Sequence, residues 1–329
     1  MPSSSQNRFT SKCGNEFPRI RLYAAFILTT LFAGITAYAA AVQQSEAHPV
    51  QNAARQAPLE DRVNPAPERV LKLFGKDSTP DLSSHVVTPA ERLILANALA
   101  QLTPFQRAVL EKRLHAIYFI DGLPGNALTF PDGGSTSKPM YSIAVRAGAL
   151  HETVSELVTR KERTLFESAG SDLSVTVDGG TLSAMVYVLL HEATHIVDFT
   201  VGAAATAAHP GGKHPLVGEI WEDDRTPTNE YRLPVLMSIF WRTRQEMPIA
   251  RAADLYDALG HTPFISVYSS CDSHDDLAEL IAWTELTGRL HQPYRIVISN
   301  GTNIVRVFEP AKSNLVRARQ KLLSQLTGS

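Results

Sequence analysis

The chain has 329 residues and a formal net charge of −2, and 44% of its residues are apolar and 19% charged. This composition is that of a globular protein and excludes a fibrous or wholly disordered chain. The length suits one large domain or two small ones.

The first 39 residues have the pattern of an export signal. Four basic residues precede an uncharged run, LYAAFILTTLFAGITAYAAA, that extends from Leu22 to Ala41. Ala37 and Ala39 fit an A-x-A cleavage site, which predicts a signal peptide over residues 1–39. The alternative is an uncleaved membrane anchor, because about 20 apolar residues are enough to span a bilayer. In either case we expect an exported protein, periplasmic or secreted, that meets a membrane only if the segment is retained.

Cleavage would make the mature chain more acidic. Removing residues 1–39 takes away four basic residues and Glu16, which moves the formal charge from −2 to −5. An acidic protein is not expected to bind nucleic acid. Cleavage also removes Cys13 and leaves Cys271 as the one cysteine, so stability must come from a packed core or a metal.

Residues 40–66 are predicted to form a flexible linker, and residues 67–329 the folded domain. The linker is rich in Ala, Gln and Pro and has no apolar periodicity. The domain begins with two helices, because Thr88 and Thr103 are each followed by proline, the residue that favours the first helical position. Glu91 completes a capping box with Thr88.

The rest of the chain predicts an α+β fold. Short β-like runs, YFI, MYSIAVRA and LSVTV, are separated or followed by Gly-rich and Pro-rich turns and indicate a small mixed sheet. A long apolar helix is expected from about Thr181 to Phe199, and helical stretches near residues 229–246, 249–260 and 274–288. The pair Asn300 and Gly301 predicts a β-hairpin, and a terminal helix closes the chain.

Inside the long helix, the sequence YVLLHEATHIVDF contains the pattern H-E-x-x-H at His191, Glu192 and His195. Two histidines four residues apart on a helix stand one above the other and can face one zinc ion. Glu192 can then act as general base towards a water molecule. The alternative is an ordinary helix, but burying these polar groups in an apolar segment is costly without a partner. The pattern therefore predicts a zinc site.

A catalytic zinc needs a third protein ligand. Asp198 lies one turn beyond His195 on the same axis, too close to complete a tetrahedron easily, so we expect it either to support a histidine or to act as a capping group. The remaining ligand candidates are carboxylates further along the chain: Glu219, Asp275, Asp276 and Glu279.

The segment MYSIAVRA, which precedes the motif, has two interpretations. It is either an edge strand that pairs with an extended substrate or a plain sheet strand.

A resemblance narrows the choice of the third ligand. FISVYSSCDSHDDLAEL, from Phe264 to Leu280, together with HEATHIVD, resembles the gluzincin zinc metallopeptidases related to anthrax lethal factor. The resemblance implies a zincin-like fold in which Tyr268 stabilises an oxyanion, Asp275 is the third zinc ligand and Glu279 orients a ligand histidine. The sequence departs from these families at Asp275, where they usually carry Glu. The resemblance still favours Asp275 as the third zinc ligand, and Glu279 is the alternative.

These features together predict an exported zinc-dependent metallopeptidase with an active-site helix and a mostly helical C-terminal half. The expected substrate is a peptide or protein, cleaved at a peptide or related amide bond. The alternative is a non-catalytic, zinc-containing binding module, which is membrane-anchored if the N-terminal segment is retained. An open coordination position favours catalysis, whereas a closed four-ligand site favours the alternative.

Overall fold

The computed structural model describes residues 57–74, 82–206, 212 and 214–327. The predicted signal peptide and most of the predicted linker lie outside these residues. The last part of the predicted linker belongs to the fold: Leu59 is fully buried, and the Arg62 guanidinium donates hydrogen bonds to the carbonyls of Leu110 and Leu114 at 3.0 and 2.7 Å. The predicted boundary at residue 67 is therefore wrong, because the packed domain includes Leu59.

The helices agree with most of the predicted segments. Thr88 and Thr103 both form capping boxes, and the predicted stretch near 249–260 contains a helix. The α-helices are α1 Glu68–Leu71, α2 Pro89–Leu99, α3 Pro104–Arg113, α4 Val154–Arg163, α5 Ala184–Val201, α6 Pro234–Met237, α7 Phe240–Thr243, α8 Ala252–Gly260, α9 Ser273–Thr284 and α10 Asn314–Thr327. A π-helical turn, Glu285–Arg289, follows α9.

The strands form several sheets rather than one. They are β1 Ser83–Ser84, β2 Leu114–Asp121, β3 Ala127–Ser135, β4 Lys138–Arg146, β5 Phe166–Glu167, β6 Leu173–Asp178, β7 Trp221–Asp223, β8 Thr226–Pro227, β9 Met247–Pro248, β10 Arg295–Asn300 and β11 Asn303–Phe308. The largest sheet has the order β1-β2-β4-β3 and is mixed, because β2 and β4 are parallel and the other pairs antiparallel. The described fold is α+β, as predicted.

Three local predictions need correction. β6 was expected in the small mixed sheet, but it pairs with the C-terminal hairpin in a separate sheet of order β11-β10-β6. The hairpin turn is shifted by one residue, because Asn300 pairs with Asn303 and leaves Gly301 and Thr302 at the turn. The helix expected at 229–246 is replaced by the single turns α6 and α7, and Arg244 ends the second in the left-handed conformation, with φ at 63°.

Helix α5 runs through the core. It begins after Ser183, whose hydroxyl accepts a hydrogen bond from Met185 N, and ends at Gly202, which adopts the left-handed conformation with φ at 70°. Helices α2, α3, α4 and α9 and strand β3 pack around it. The nearly continuous apolar sequence before His191 follows from this burial, since no face of that segment is left for solvent.

Helix α9 is joined to the terminal helix by a buried charge pair. The Arg319 guanidinium donates to both carboxylate oxygens of Asp276, at 2.8 and 2.9 Å, and Trp221 Nε1 donates to the same carboxylate at 2.9 Å. Asp276 is fully buried and Arg319 is 6% exposed. A bidentate pair of this kind satisfies both charges.

Asp276→Ala is expected to lower the free energy of unfolding by about 3–5 kcal/mol, because it leaves the Arg319 charge buried without its counter-ion. Urea denaturation followed by Trp fluorescence measures the change. The matched control is Asp254→Ala, which breaks an exposed ion pair with Arg251 and should cost less than about 1 kcal/mol. Equal effects of the two substitutions would contradict a stabilising role for the buried pair.

Within the described residues, the structure has no helix that is long and apolar enough to cross a membrane. The predicted apolar segment, Leu22 to Ala41, lies outside those residues, so this finding concerns the folded domain alone.

Candidate metal centre

Two helices bring three predicted ligands together. His191 and His195 lie one turn apart on α5, and Asp275 lies in the first turn of α9, which packs against α5. The Asp272 carboxylate caps α9 by accepting hydrogen bonds from the backbone N–H groups of His274 and Asp275, at 3.1 and 2.8 Å. This cap fixes the start of α9 and therefore the position of Asp275.

The donor atoms of these residues face one another. The two Nε2 atoms of His191 and His195 are 3.1 Å apart, and Asp275 Oδ1 lies 3.4 and 3.5 Å from them. Three ligands bound tetrahedrally at about 2.0–2.1 Å from one ion are separated by about 3.3–3.4 Å, so the spacing fits zinc. His191, His195 and Asp275 form a group able to hold a metal ion, and a nitrogen-rich donor set favours zinc over calcium or magnesium.

The same three groups attract one another electrostatically. Burial alone would lower the pKa of His191, but the carboxylates of Asp275 and Glu279 raise it to about 10. Burial would raise the pKa of Asp275, but its contacts with His191 and His195 reverse this and lower it. A metal ion bound here would therefore displace a proton from histidine.

Glu279 lies on the opposite side of the His191 ring from Asp275. Its Oε1 is 3.2 Å from Nδ1 of His191, although the ring N–H is not aligned on it as a hydrogen bond. Burial would raise the pKa of Glu279, but Lys161 and His191 lower it. The Glu279 carboxylate also accepts hydrogen bonds from Lys161, Tyr187, Ser266 and Trp283. This position beside Nδ1 suits the orienting role expected for Glu279 better than its alternative role as the third ligand.

Glu279→Gln is expected to weaken zinc binding by about 10–100-fold, because the carboxylate facing Nδ1 keeps the proton on that nitrogen and leaves Nε2 free. Competition with a fluorescent zinc chelator measures the dissociation constant. Glu285→Gln, which alters an ion pair with Arg289 two turns later, is the control and should leave the affinity unchanged. An unaltered affinity in Glu279→Gln would exclude the orienting role.

Glu192 is held beside the cluster by the largest sheet. Thr129, on the edge strand β3, donates its hydroxyl to Glu192 Oε2 at 2.7 Å. Glu192 is 6% exposed and follows His191 directly in the chain. The carboxylate therefore has a fixed orientation next to the donor group.

Tyr268 lies beside His191, on the short 3-10 turn Tyr268–Ser270 that precedes α9. Its ring centroid is 6.1 Å from that of His191 and 5.1 Å from that of Trp241, which meets it edge-on. Burial and the charge of Asp275 raise the pKa of Tyr268 well above its usual value. A phenol is protonated at neutral pH in any case, so the Tyr268 hydroxyl is available as a hydrogen-bond donor.

Asp198 supports a histidine, as expected, but not a motif histidine. Its Oδ2 is 2.5 Å from Nδ1 of His274, and its Oδ1 accepts a hydrogen bond from Ala204 N at 2.5 Å. His274 is therefore paired with Asp198, and its pKa rises to about 9 because this pairing outweighs burial. The contact ties the C-terminal end of α5 to the start of α9.

Two other predicted features lie elsewhere. Glu219 is exposed in the turns before β7 and is not a member of the donor group. MYSIAVRA forms most of β4, which lies between β2 and β3, so the plain-strand interpretation is correct and the edge-strand interpretation is wrong. β3 is the edge strand beside Glu192.

Several residues that contact the predicted site residues were not predicted from the sequence. Thr129 is 63 residues from Glu192 in the chain, and Lys161 is 118 residues from Glu279, so no local pattern connects them. Of these residues, only Asp272 could have been predicted from the sequence, because an aspartate immediately before a helical segment is a common N-cap.

Comparisons of the chain with protein-family models, with curated proteins and with solved structures give no match.

Proposed function

We propose that the chain is an exported, zinc-dependent metallopeptidase with a zincin-like catalytic domain. The observation that carries the proposal is the convergence of His191 Nε2, His195 Nε2 and Asp275 Oδ1, with the buried carboxylate of Glu192 on the same helix. Three protein ligands are the number found in catalytic zinc sites, where the fourth position stays open for water or substrate.

His191, His195 and Asp275 would hold the zinc ion, which would supply Lewis acidity and make a nearby water molecule a better nucleophile at neutral pH. Glu192 accepts the proton of the attacking water and passes it to the leaving amine. The hydroxyl of Thr129 donates to Glu192 Oε2, which leaves Oε1 to take the proton.

Tyr268 donates its phenolic hydrogen to the oxyanion that develops on the substrate carbonyl. An ordinary tyrosine is already protonated at neutral pH, and burial together with Asp275 shifts the pKa of Tyr268 further upwards. A single donor to an oxyanion accounts for about 10²–10³-fold in kcat in other hydrolases.

The proposed substrate is an extended peptide or protein segment. β3 pairs with β4 on one side only among the described strands, and its Thr129 contacts Glu192. An extended peptide added to the free side of β3 would pass the general base with its backbone hydrogen-bonded to the strand. The basic and apolar pattern of residues 1–41 supports export.

The test uses the chain without residues 1–39, its zinc content and its cleavage of a mixed peptide library. Zinc should be present at one ion per chain, and removal with 1,10-phenanthroline should abolish cleavage. Added zinc should restore cleavage, whereas calcium or magnesium should not, because both ions prefer oxygen ligands.

The outcomes separate the two interpretations of the sequence. Stoichiometric zinc with no cleavage of any peptide would support the non-catalytic binding module instead. Cleavage that continues in metal-free protein, or a protein that takes up no zinc, would reject the metallopeptidase proposal.

A further inference from the structure

The Lys161 ammonium is buried among aromatic rings beside the candidate site. Lys161 lies near the C-terminal end of α4, with its side chain 13% exposed. Its Nζ is 3.5 Å from the ring centroid of Tyr268 and 5.7 Å from those of Tyr187 and Trp241. The shortest of these distances lies well within the range of a cation–π contact.

The Lys161 ammonium also donates hydrogen bonds to two other side chains. Nζ donates to the hydroxyl of Tyr187 at 3.0 Å and to Oε1 of Glu279 at 3.2 Å. The Tyr187 hydroxyl in turn donates to the same oxygen of Glu279. Lys161 is therefore held by α5 and α9 while its charge rests against the Tyr268 ring.

The turn that carries Tyr268 is short. It is a three-residue 3-10 turn, a type of element with poorer hydrogen-bond geometry than an α-helix. Trp241, which meets the ring edge-on, belongs to the single-turn helix α7. Lys161 supplies a contact from the longer helix α4, whose first turn is closed by a capping box at Thr153.

We propose that Lys161 is a positioning residue for the reaction, which holds the Tyr268 ring in place and strengthens its phenol as a donor to the oxyanion. The inference rests on the proposed function, in which Tyr268 contacts the reacting carbonyl. A cation against the ring face draws electron density from the ring, so the phenolic hydrogen becomes a stronger hydrogen-bond donor. The Lys161 ammonium is paired with the Glu279 carboxylate at 3.2 Å.

The kinetic test compares Lys161→Met, Lys161→Arg, Tyr268→Phe and the double variant Lys161→Met/Tyr268→Phe in the zinc-loaded chain. Lys161→Met should lower kcat by about tenfold, the size that a desolvated cation–π contact supports, with a smaller change in KM. Lys161→Arg, which keeps the charge, should restore most of this loss. In the Tyr268→Phe background, Lys161→Met should cause little further loss, because it acts through the phenol.

A second measurement does not depend on activity. 3-Fluorotyrosine placed at position 268 reports the environment of the ring by ¹⁹F NMR in zinc-free protein. Lys161→Met should shift and broaden the resonance, and Lys161→Arg should change it less. Lys72→Met is the matched control, because Lys72 also pairs with a carboxylate, that of Glu68, but on the surface; it should change neither the resonance nor kcat.

The results distinguish this inference from the proposed function. If the wild-type chain shows no zinc-dependent cleavage, the proposed function fails, and the fluorine resonance still decides whether Lys161 positions the ring. If cleavage is present but Lys161→Met leaves kcat and the resonance unchanged, the inference is overturned while the function stands. A loss in kcat that is equally large with and without the Tyr268 hydroxyl would also overturn it.

Discussion

Glu192→Gln is expected to lower the kcat of peptide hydrolysis by about 10²–10⁴-fold, the range that general acid–base catalysis contributes. Glutamine has nearly the shape of glutamate but cannot take up a proton at neutral pH. The Thr129 hydroxyl, which donates to Glu192 Oε2 at 2.7 Å, can donate equally to the amide oxygen. The variant should therefore fold and bind zinc like the wild type, and its defect should lie in the chemical step.

Kinetics on one cleaved peptide, with zinc content measured in the same preparation, tests this expectation. Glu219→Gln is the control, because Glu219 is an exposed glutamate outside the donor group. Cleavage at the wild-type rate by zinc-loaded Glu192→Gln would show that Glu192 is not the general base. Loss of zinc from the variant would instead place Glu192 among the groups that maintain the site.

Asp275→Ala is expected to weaken zinc binding by about 10²–10³-fold. Structural zinc sites gain about 10–16 kcal/mol from four ligands, so one ligand is worth roughly a quarter of that. Asp275 occupies the third position of α9, where alanine is compatible with the helix. The loss should therefore come from the missing ligand and not from unfolding.

Zinc affinity and circular dichroism, measured in parallel, test this second expectation. The effect should exceed that of Glu279→Gln, whose carboxylate lies against Nδ1 of His191 rather than beside the two Nε2 atoms. Glu219→Ala should keep full zinc. The assignment of Asp275 and Glu279 is reversed if Asp275→Ala retains zinc and Glu279→Gln loses it.

The sequence predicted elements whose signals are local. The caps at Thr88 and Thr103 and the apolar sequence of α5 depend on neighbouring residues, so each could be identified without the fold. The helix predicted at 229–246 is wrong. Pro234 starts a helix of only one turn, and Arg244 ends the next short helix in a left-handed conformation. Apolar content alone does not distinguish a helix from a packed irregular segment.

The site was predictable where spacing along one helix decides the geometry. His191, Glu192 and His195 share α5, and Tyr268, Asp275 and Glu279 lie within one short stretch of chain. Their resemblance to a known pattern placed them in the same candidate site. Which strand borders the site was not predictable, since alternation of side chains does not tell an edge strand from a central one. The contacts of Thr129 and Lys161 were not predictable either, because they join residues that are far apart in the chain and depend on tertiary packing.

The buried pair of Asp276 and Arg319 makes the candidate site depend on helix α10. Asp276 is the next residue after Asp275, and its counter-ion comes from the terminal helix α10. During synthesis, both motif histidines and Asp275 are therefore made before Arg319, whose ion pair with Asp276 joins α9 to α10. The candidate site should therefore reach its final geometry only after α10 has been synthesised.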